Sequence, residues 1–238
     1  MHIMIIGASK GLGRALFEGL GRPGDTLTGV ARRPPVALAM PDGVAQHWIP
    51  ADLSQPVTAA DAIAQAAPAV IDTLIYNLGI WETHAFSRAY DFLAEPDAAL
   101  TGLVDVNISA ALLLLKRLLP RVLRAKRPQL VLTGSTSGLR GAGRPEVAFG
   151  ASKFALNGMA EALREGYREA GLAVSVLQLG YLNTDDGLAV PREQAAARGE
   201  GGLVPVHDVV AVVDTLIRLS GASFVRELVM PAIADTQF

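Results

Sequence analysis

Apolar residues along this chain gather into short, nearly unbroken runs, separated by longer stretches whose apolar positions recur with helical spacing. The runs at 2–6, 26–31, 46–49, 73–76, 130–133, 173–178 and 227–230 read as strands. They do not alternate apolar with polar, so both faces of each are expected to be buried, as in a parallel sheet covered by helices on both sides. Stretches 12–20, 105–123, 151–169 and 207–219 read as such helices. The alternation predicts an α/β fold: one doubly wound parallel sheet of about seven strands, right-handed crossovers, and a ligand site at the carboxyl ends of the strands. No repeat, low-complexity tail or long linker divides the sequence, so 1–238 is expected to form one domain. The stretch 185–204 is less regular. Gly187, Pro191, Gly199, Gly201 and Gly202 surround a polar segment, which predicts a mobile lid over the site or, more plainly, a surface excursion.

Composition narrows the class. The 238 residues are half hydrophobic and 18% charged, which excludes a disordered or fibrous chain. A net charge of −2 with no basic stripe argues against nucleic-acid binding. The absence of cysteine excludes disulfides, thiolate metal sites and a cysteine nucleophile, and fits a reducing cytoplasm. Residues 1–6 are apolar but run into Gly7, too short for a signal peptide or a membrane span. The leucine run 112–115 stops at Lys116 and Arg117 and reads as a buried helix, so no membrane is expected. His2, His47, His84 and His207 are scattered without the spacing of metal ligands, so no metal is expected.

The first strand leads into Gly7-Ala8-Ser9-Lys10-Gly11-Leu12-Gly13, which opens a helix. Glycines there let the backbone approach a pyrophosphate, and the helix start offers free N–H groups to the anion. After the second strand, an NAD site would carry an acidic residue for the ribose hydroxyls. Ala31 stands there instead, followed by Arg32 and Arg33. Guanidinium groups suit a 2′-phosphate by charge and by forked geometry, and Lys10 can add a further charge, so NADP(H) is expected. The bland alternative is a solvated basic turn before Pro34 and Pro35.

The glycine spacing resembles that of the short-chain dehydrogenase/reductase family, and the resemblance extends from Gly7 to about Leu219. Asp52-Leu53 resembles the family's adenine-contacting pair. Asn77 and Gly79 resemble its Asn-Asn-Ala-Gly strand end, with Tyr76 and Leu78 departing from the pattern. Gly180 and Thr184 match a Pro-Gly segment followed by a nicotinamide-binding threonine, with Leu179 replacing the proline. The family's catalytic set is Asn, Ser, Tyr and Lys. Asn107, Ser135 and Lys153 match three of these, and the resemblance implies that Lys153 holds the nicotinamide ribose. Plainer readings are a helix-bending amide for Asn107 and a turn-capping hydroxyl for Ser135. The resemblance also implies a Rossmann-type fold, a small-molecule substrate, and a homodimer or homotetramer through the helix 105–123 and the one bearing Lys153.

Phe149 stands where the catalytic tyrosine should be, four residues before Lys153. No tyrosine lies between Tyr90 and Tyr167, so a shifted motif is not available. A positioned general acid is worth about 10²–10⁴ in rate, whereas orientation of reactants can supply roughly 7–11 kcal/mol. Hydride transfer is therefore expected to survive, with the proton drawn from Ser135, Thr136, Ser137, a water, Tyr181 or the substrate. Trp81, Phe149, Ser137, Tyr181 and Leu188 are expected to line the pocket for a fairly apolar carbonyl, alcohol, enone or imine. The alternatives are a catalytically silent NADP(H) sensor or partner subunit, and a non-redox enzyme reusing the pocket.

Overall fold

In chain order the computed structural model, which describes residues 1–142 and 144–236, runs β1 (His2–Ile6), α1 (Gly11–Gly19), β2 (Thr26–Ala31), β3 (Ala45–Pro50), α2 (Pro56–Ala66), β4 (Thr73–Tyr76), α3 (Asp97–Val104), α4 (Ala110–Val122), β5 (Gln129–Thr133), α5 (Val147–Gly166), β6 (Ala173–Leu179), β7 (Leu182–Asn183), α6 (Arg192–Arg198), β8 (Val204–Pro205), α7 (Val206–Ile217) and β9 (Glu227–Met230). Seven of the strands form one parallel sheet in the order β3-β2-β1-β4-β5-β6-β9. The pleat explains the unbroken apolar runs. In β1, Met4 and Ile6 enter one core with α2, α4 and α5, while Ile3 and Ile5 enter a second core with α1 and α7. The strand order reverses between β1 and β4, so the crevice at their carboxyl ends is the switch point where such sheets bind ligands. The expected doubly wound Rossmann-type sheet is the observed one.

The helices differ from expectation in instructive ways. Stretch 105–123 is the downstream part of a longer helical run that starts at Asp97 and passes through a π turn at Asp105–Ser109. That run is long and apolar enough to cross a membrane, but Leu103, Val106, Ala110, Leu114 and Leu118 on it are buried in the protein. The π turn widens the helix, and the Tyr76 hydroxyl donates to the Val106 carbonyl at 3.2 Å. Helix α5 begins at Val147, which puts Phe149 in its first turn. Helix α2 went unread because its alanine-rich face gives little contrast, although Pro56 marks its first turn.

The irregular stretch 185–204 contains structure of its own. Helix α6 lies within it, and β7 pairs with β8 across it. Asn183 Nδ2 donates to Asp186 at 2.9 Å and to the Ala195 carbonyl at 3.0 Å, and Arg198 pairs with Asp186. Leu188 packs beside Gly19 and Val210 at the second core.

Candidate active site

At the switch point the chain turns sharply after β1. Gly7 has φ +82°, and its N–H donates to the Val30 carbonyl at 2.9 Å. A methyl group on Gly7 would lie 2.4 Å from the Asn77 carbonyl oxygen, and one on Gly13 would lie 1.9 Å from the Gly7 carbonyl oxygen. Only hydrogen fits at either place. The first N–H groups of α1 have no intrahelical partner, and the extended cap residue Lys10 gives them no side-chain capping bond. Leu12 is buried in the second core and holds α1 to the sheet. Asn77 Nδ2 reaches the Gly7 carbonyl at 3.4 Å, tying the end of β4 to the turn. Thr184 lies against Gly11, within 3.5 Å of where its Cβ would be.

Beyond the turn lies a cleft of about 670 Å³ lined by Ser9, Arg32, Arg33, Pro50, Ala51 and Asp52. Asp52 accepts from the Ser54 N–H at 3.1 Å, and that bond holds its carboxyl below the usual range. Leu53 is buried in the first core and anchors the loop. Close packing also explains Gly180, where a Cβ would lie 3.0 Å from the Pro231 backbone.

The chemical end is assembled at the carboxyl ends of β4, β5 and β6. Lys153 is 6% exposed, and its Nζ donates to the Thr133 carbonyl at 3.1 Å. Burial pulls the ammonium down to about 8. A Cβ on Gly79 would stand 3.2 Å from that Nζ, so Gly79 keeps the ammonium's flank open. Ser135 Oγ accepts from the Ser137 N–H at 3.1 Å and caps a short 3₁₀ turn, so the capping role is real; the backbone of Ser135 is set by a bond to Gln178 at 3.1 Å. Gln178 is fully buried and also donates to Asn157 and Glu227, each at 2.8 Å, while Asn157 holds the Gly138 carbonyl at 2.8 Å. This buried network fixes the loop that presents Ser135 and Ser137.

Asn107 sits in the π turn with its amide fully engaged. Its Oδ1 accepts from the Ile80 N–H at 2.8 Å, and its Nδ2 donates to the Ile80 carbonyl at 2.8 Å and to Ser152 Oγ at 3.0 Å. Ser152 passes the link on to the Phe149 carbonyl at 2.7 Å. The side chain thus clamps the loop after β4 to the helix carrying Phe149 and Lys153.

Phe149 is 7% exposed and belongs to an aromatic cluster. Its ring meets Phe86 at 5.2 Å and Trp81 at 6.5 Å, both edge-on, and Lys153 Nζ lies 5.3 Å from its centre. Phe86 in turn meets Tyr181 at 5.7 Å. Phe86 has φ +64°, a strained value for a bulky side chain, and its N–H is held by Glu146 at 2.8 Å. Glu82 accepts from the Ala148 and Phe149 N–H groups at 2.7 and 3.1 Å and so caps α5 from outside. The second carboxylate oxygens of Glu82 and Glu146 are buried and have no hydrogen-bond partner among the described residues.

Tyr181 completes the wall. Its hydroxyl accepts from Arg144 at 3.1 Å, the guanidinium lies 4.8 Å from the ring centre, and Arg144 is itself paired with Asp235 at 2.7 Å. Trp81, Phe149 and Tyr181 are brought together around Phe86, with Ser137 on the capped loop beside α5, whereas Leu188 belongs to the packing of α1 and α7. Sequence reasoning missed Phe86, Glu82, Glu146, Arg144 and Gln178. Gln178 carried a signal, a polar residue inside an apolar strand; Glu82 and Glu146 carried none, because their partners are some sixty residues away.

A turn, sheet and lysine arranged this way define a dinucleotide-binding oxidoreductase. A family model for short chain dehydrogenases matches residues 1–194, and the chain belongs to that family of nicotinamide-dependent oxidoreductases. An uncharacterized oxidoreductase of Myxococcus xanthus is 31% identical over 192 residues, covering 76% of this chain and 72% of its own. The 3-oxoacyl-[acyl-carrier-protein] reductase FabG of Escherichia coli is 24% identical over 197 residues, covering 81% and 78%. Among solved structures, a Pseudomonas aeruginosa RhlG/NADP active-site complex shares the fold with a TM-score of 0.75 at 22% identity, covering 100% of this chain and 96% of that one.

Proposed function

We propose that this protein is an NADP(H)-dependent reductase or dehydrogenase of a small, fairly apolar carbonyl or alcohol, or of an enone or imine. The observation that carries the reading is the cleft lined by Ser9, Arg32 and Arg33 beside a glycine turn that admits no side chain. Two guanidinium groups and no acidic residue after β2 suit a 2′-phosphate. Gly7, Gly11 and Gly13 would cradle the pyrophosphate, Asp52 and Leu53 would flank the adenine, and Lys153, Asn77, Gly79, Gly180 and Thr184 would surround the nicotinamide riboside. When bound, the cofactor supplies the hydride. The chain's residues orient the substrate under Trp81 and Tyr181 and exclude water through the aromatic cluster. The same reading places the protein in the cytoplasm as a homodimer or homotetramer, joined through α4 and α5, where Leu112 is 51% and Phe154 43% exposed.

Phe149 favours a second reading, a cofactor-binding sensor or partner subunit without turnover. The deciding experiment follows NADPH oxidation against a panel of carbonyl, enone and imine substrates for the wild type and Phe149→Tyr. Turnover by the wild type is the expected result. A silent wild type beside an active Phe149→Tyr overturns it in favour of the sensor.

A further inference from the structure

We infer that Tyr181 is the catalytic proton donor of this enzyme and that Arg144 positions and electrostatically supports it. The pair does at one wall of the pocket what a tyrosine and lysine would do at the place of Phe149. The inference rests on the reading of the protein as a working carbonyl reductase.

The geometry leaves few other acids. The Tyr76 hydroxyl is buried against the Val106 carbonyl. The Tyr90 hydroxyl lies between the Val147 N–H at 3.0 Å and the Glu82 carboxylate at 3.4 Å, and the carboxylate holds its proton in place. Tyr167 follows the last turn of α5, far from Phe149. Thr136 and Ser137 are buried aliphatic alcohols, much weaker acids than a phenol. Tyr181 alone among the phenols joins the cluster around Phe149 through Phe86 while staying 36% exposed, open to both substrate and solvent. Arg144 donates to its oxygen, which leaves the phenol proton free to go elsewhere.

The charged groups facing this phenol are Arg144, Glu146 and Asp235. Burial is the largest influence and raises the phenol above its ordinary 10; Arg144 opposes that rise, while Glu146 and Asp235 add to it. The acid is therefore fully protonated at neutral pH. When bound, NADPH would supply the hydride, two electrons and a proton, that the carbonyl carbon of the substrate takes up in reduction. The displaced π pair on the carbonyl oxygen takes the Tyr181 proton. The Oη–H bond breaks, an alcohol O–H bond forms, and the phenolate left behind is held by the Arg144 guanidinium until solvent returns the proton.

The test uses two readouts on the full chain. In the protein without cofactor, ultraviolet difference titration of wild type against Tyr181→Phe isolates the Tyr181 phenol, and Arg144→Met is expected to move its midpoint to higher pH. An unmoved midpoint overturns the role of Arg144. In turnover with NADPH, Tyr181→Phe keeps the ring against Phe86 and removes only the hydroxyl. It is expected to lower kcat about 10²–10⁴-fold with NADPH affinity unchanged, and Phe149→Tyr added to it is expected to restore the rate. A wild type that turns over beside an equally active Tyr181→Phe overturns the inference alone, and a rate lost above pH 8 in both would transfer the proton to Lys153. A wild type that oxidises no NADPH with any substrate overturns the underlying reading instead.

Discussion

At the cofactor end, backbone packs directly on backbone: Gly7 and Gly13 approach each other and Asn77 so closely that a single methyl has no room. At the chemical end, around Phe149, the main chain is held by side chains: Glu82 from outside the helix on the N–H groups of Ala148 and Phe149, and Ser152 from the same helix on the Phe149 carbonyl. The first arrangement dictates which residue can stand there. The second fixes where residue 149 is and says little about its side chain. One end therefore admits a single residue type, while the other leaves its main-chain bonds indifferent to whether residue 149 carries a hydroxyl.

The largest expected effect breaks the first arrangement. Gly13→Ala forces a carbon to 1.9 Å from the Gly7 oxygen and is expected to destabilise the fold by about 3 kcal/mol or more, read by urea denaturation. A variant as stable as wild type would show that the turn can relax.

Lys153→Met probes the boundary between the two ends. Below pH 8 the buried ammonium is charged in the folded and unfolded protein alike, and its burial weakens the fold. Between about 8 and the ordinary 10.5 the folded protein sheds the proton first, so wild-type stability rises with pH across that window. The variant lacks this rise and is expected to be more stable by about 3 kcal/mol at pH 7 while binding NADPH poorly. Thermal melting as a function of pH reads the first effect and fluorescence titration the second.

The smallest effect sharpens the cofactor end alone. Arg32→Ala is expected to weaken NADPH binding by about 10- to 100-fold, the worth of a hydrogen bond between charged groups, and to leave NADH unchanged. Equal losses for both cofactors would remove the 2′-phosphate assignment.

Much of the cofactor end was legible in the sequence because its contacts are local. Gly7 to Gly13 sit on one turn, and Arg32 and Arg33 directly follow one strand. The inner strands β1, β2, β4, β5 and β6 were legible too, since their burial on both faces writes itself as unbroken apolar runs; the expectation of two buried faces fails at the edge strands β3 and β9, which are largely exposed because helices and a neighbouring strand cover them on fewer sides. The chemical end could be read only where a motif marked it, at Asn107, Ser135, Phe149 and Lys153. The rest is built from residues distant in the chain. Glu82 caps a helix that begins at Val147, and Arg144 joins Tyr181 to Asp235. The π turn at Asn107 was hidden because its apolar periodicity is nearly that of the α-helix on either side.

The anchoring of Phe149 also has a consequence for substitution. Phenylalanine and tyrosine codons differ by one base, and the hydrogen bonds that place this residue all fall on its main chain. A change at position 149 therefore leaves those bonds intact and is felt only where the ring meets Phe86, Trp81 and Lys153. The glycine turn offers no comparable freedom, because there the added atom meets backbone.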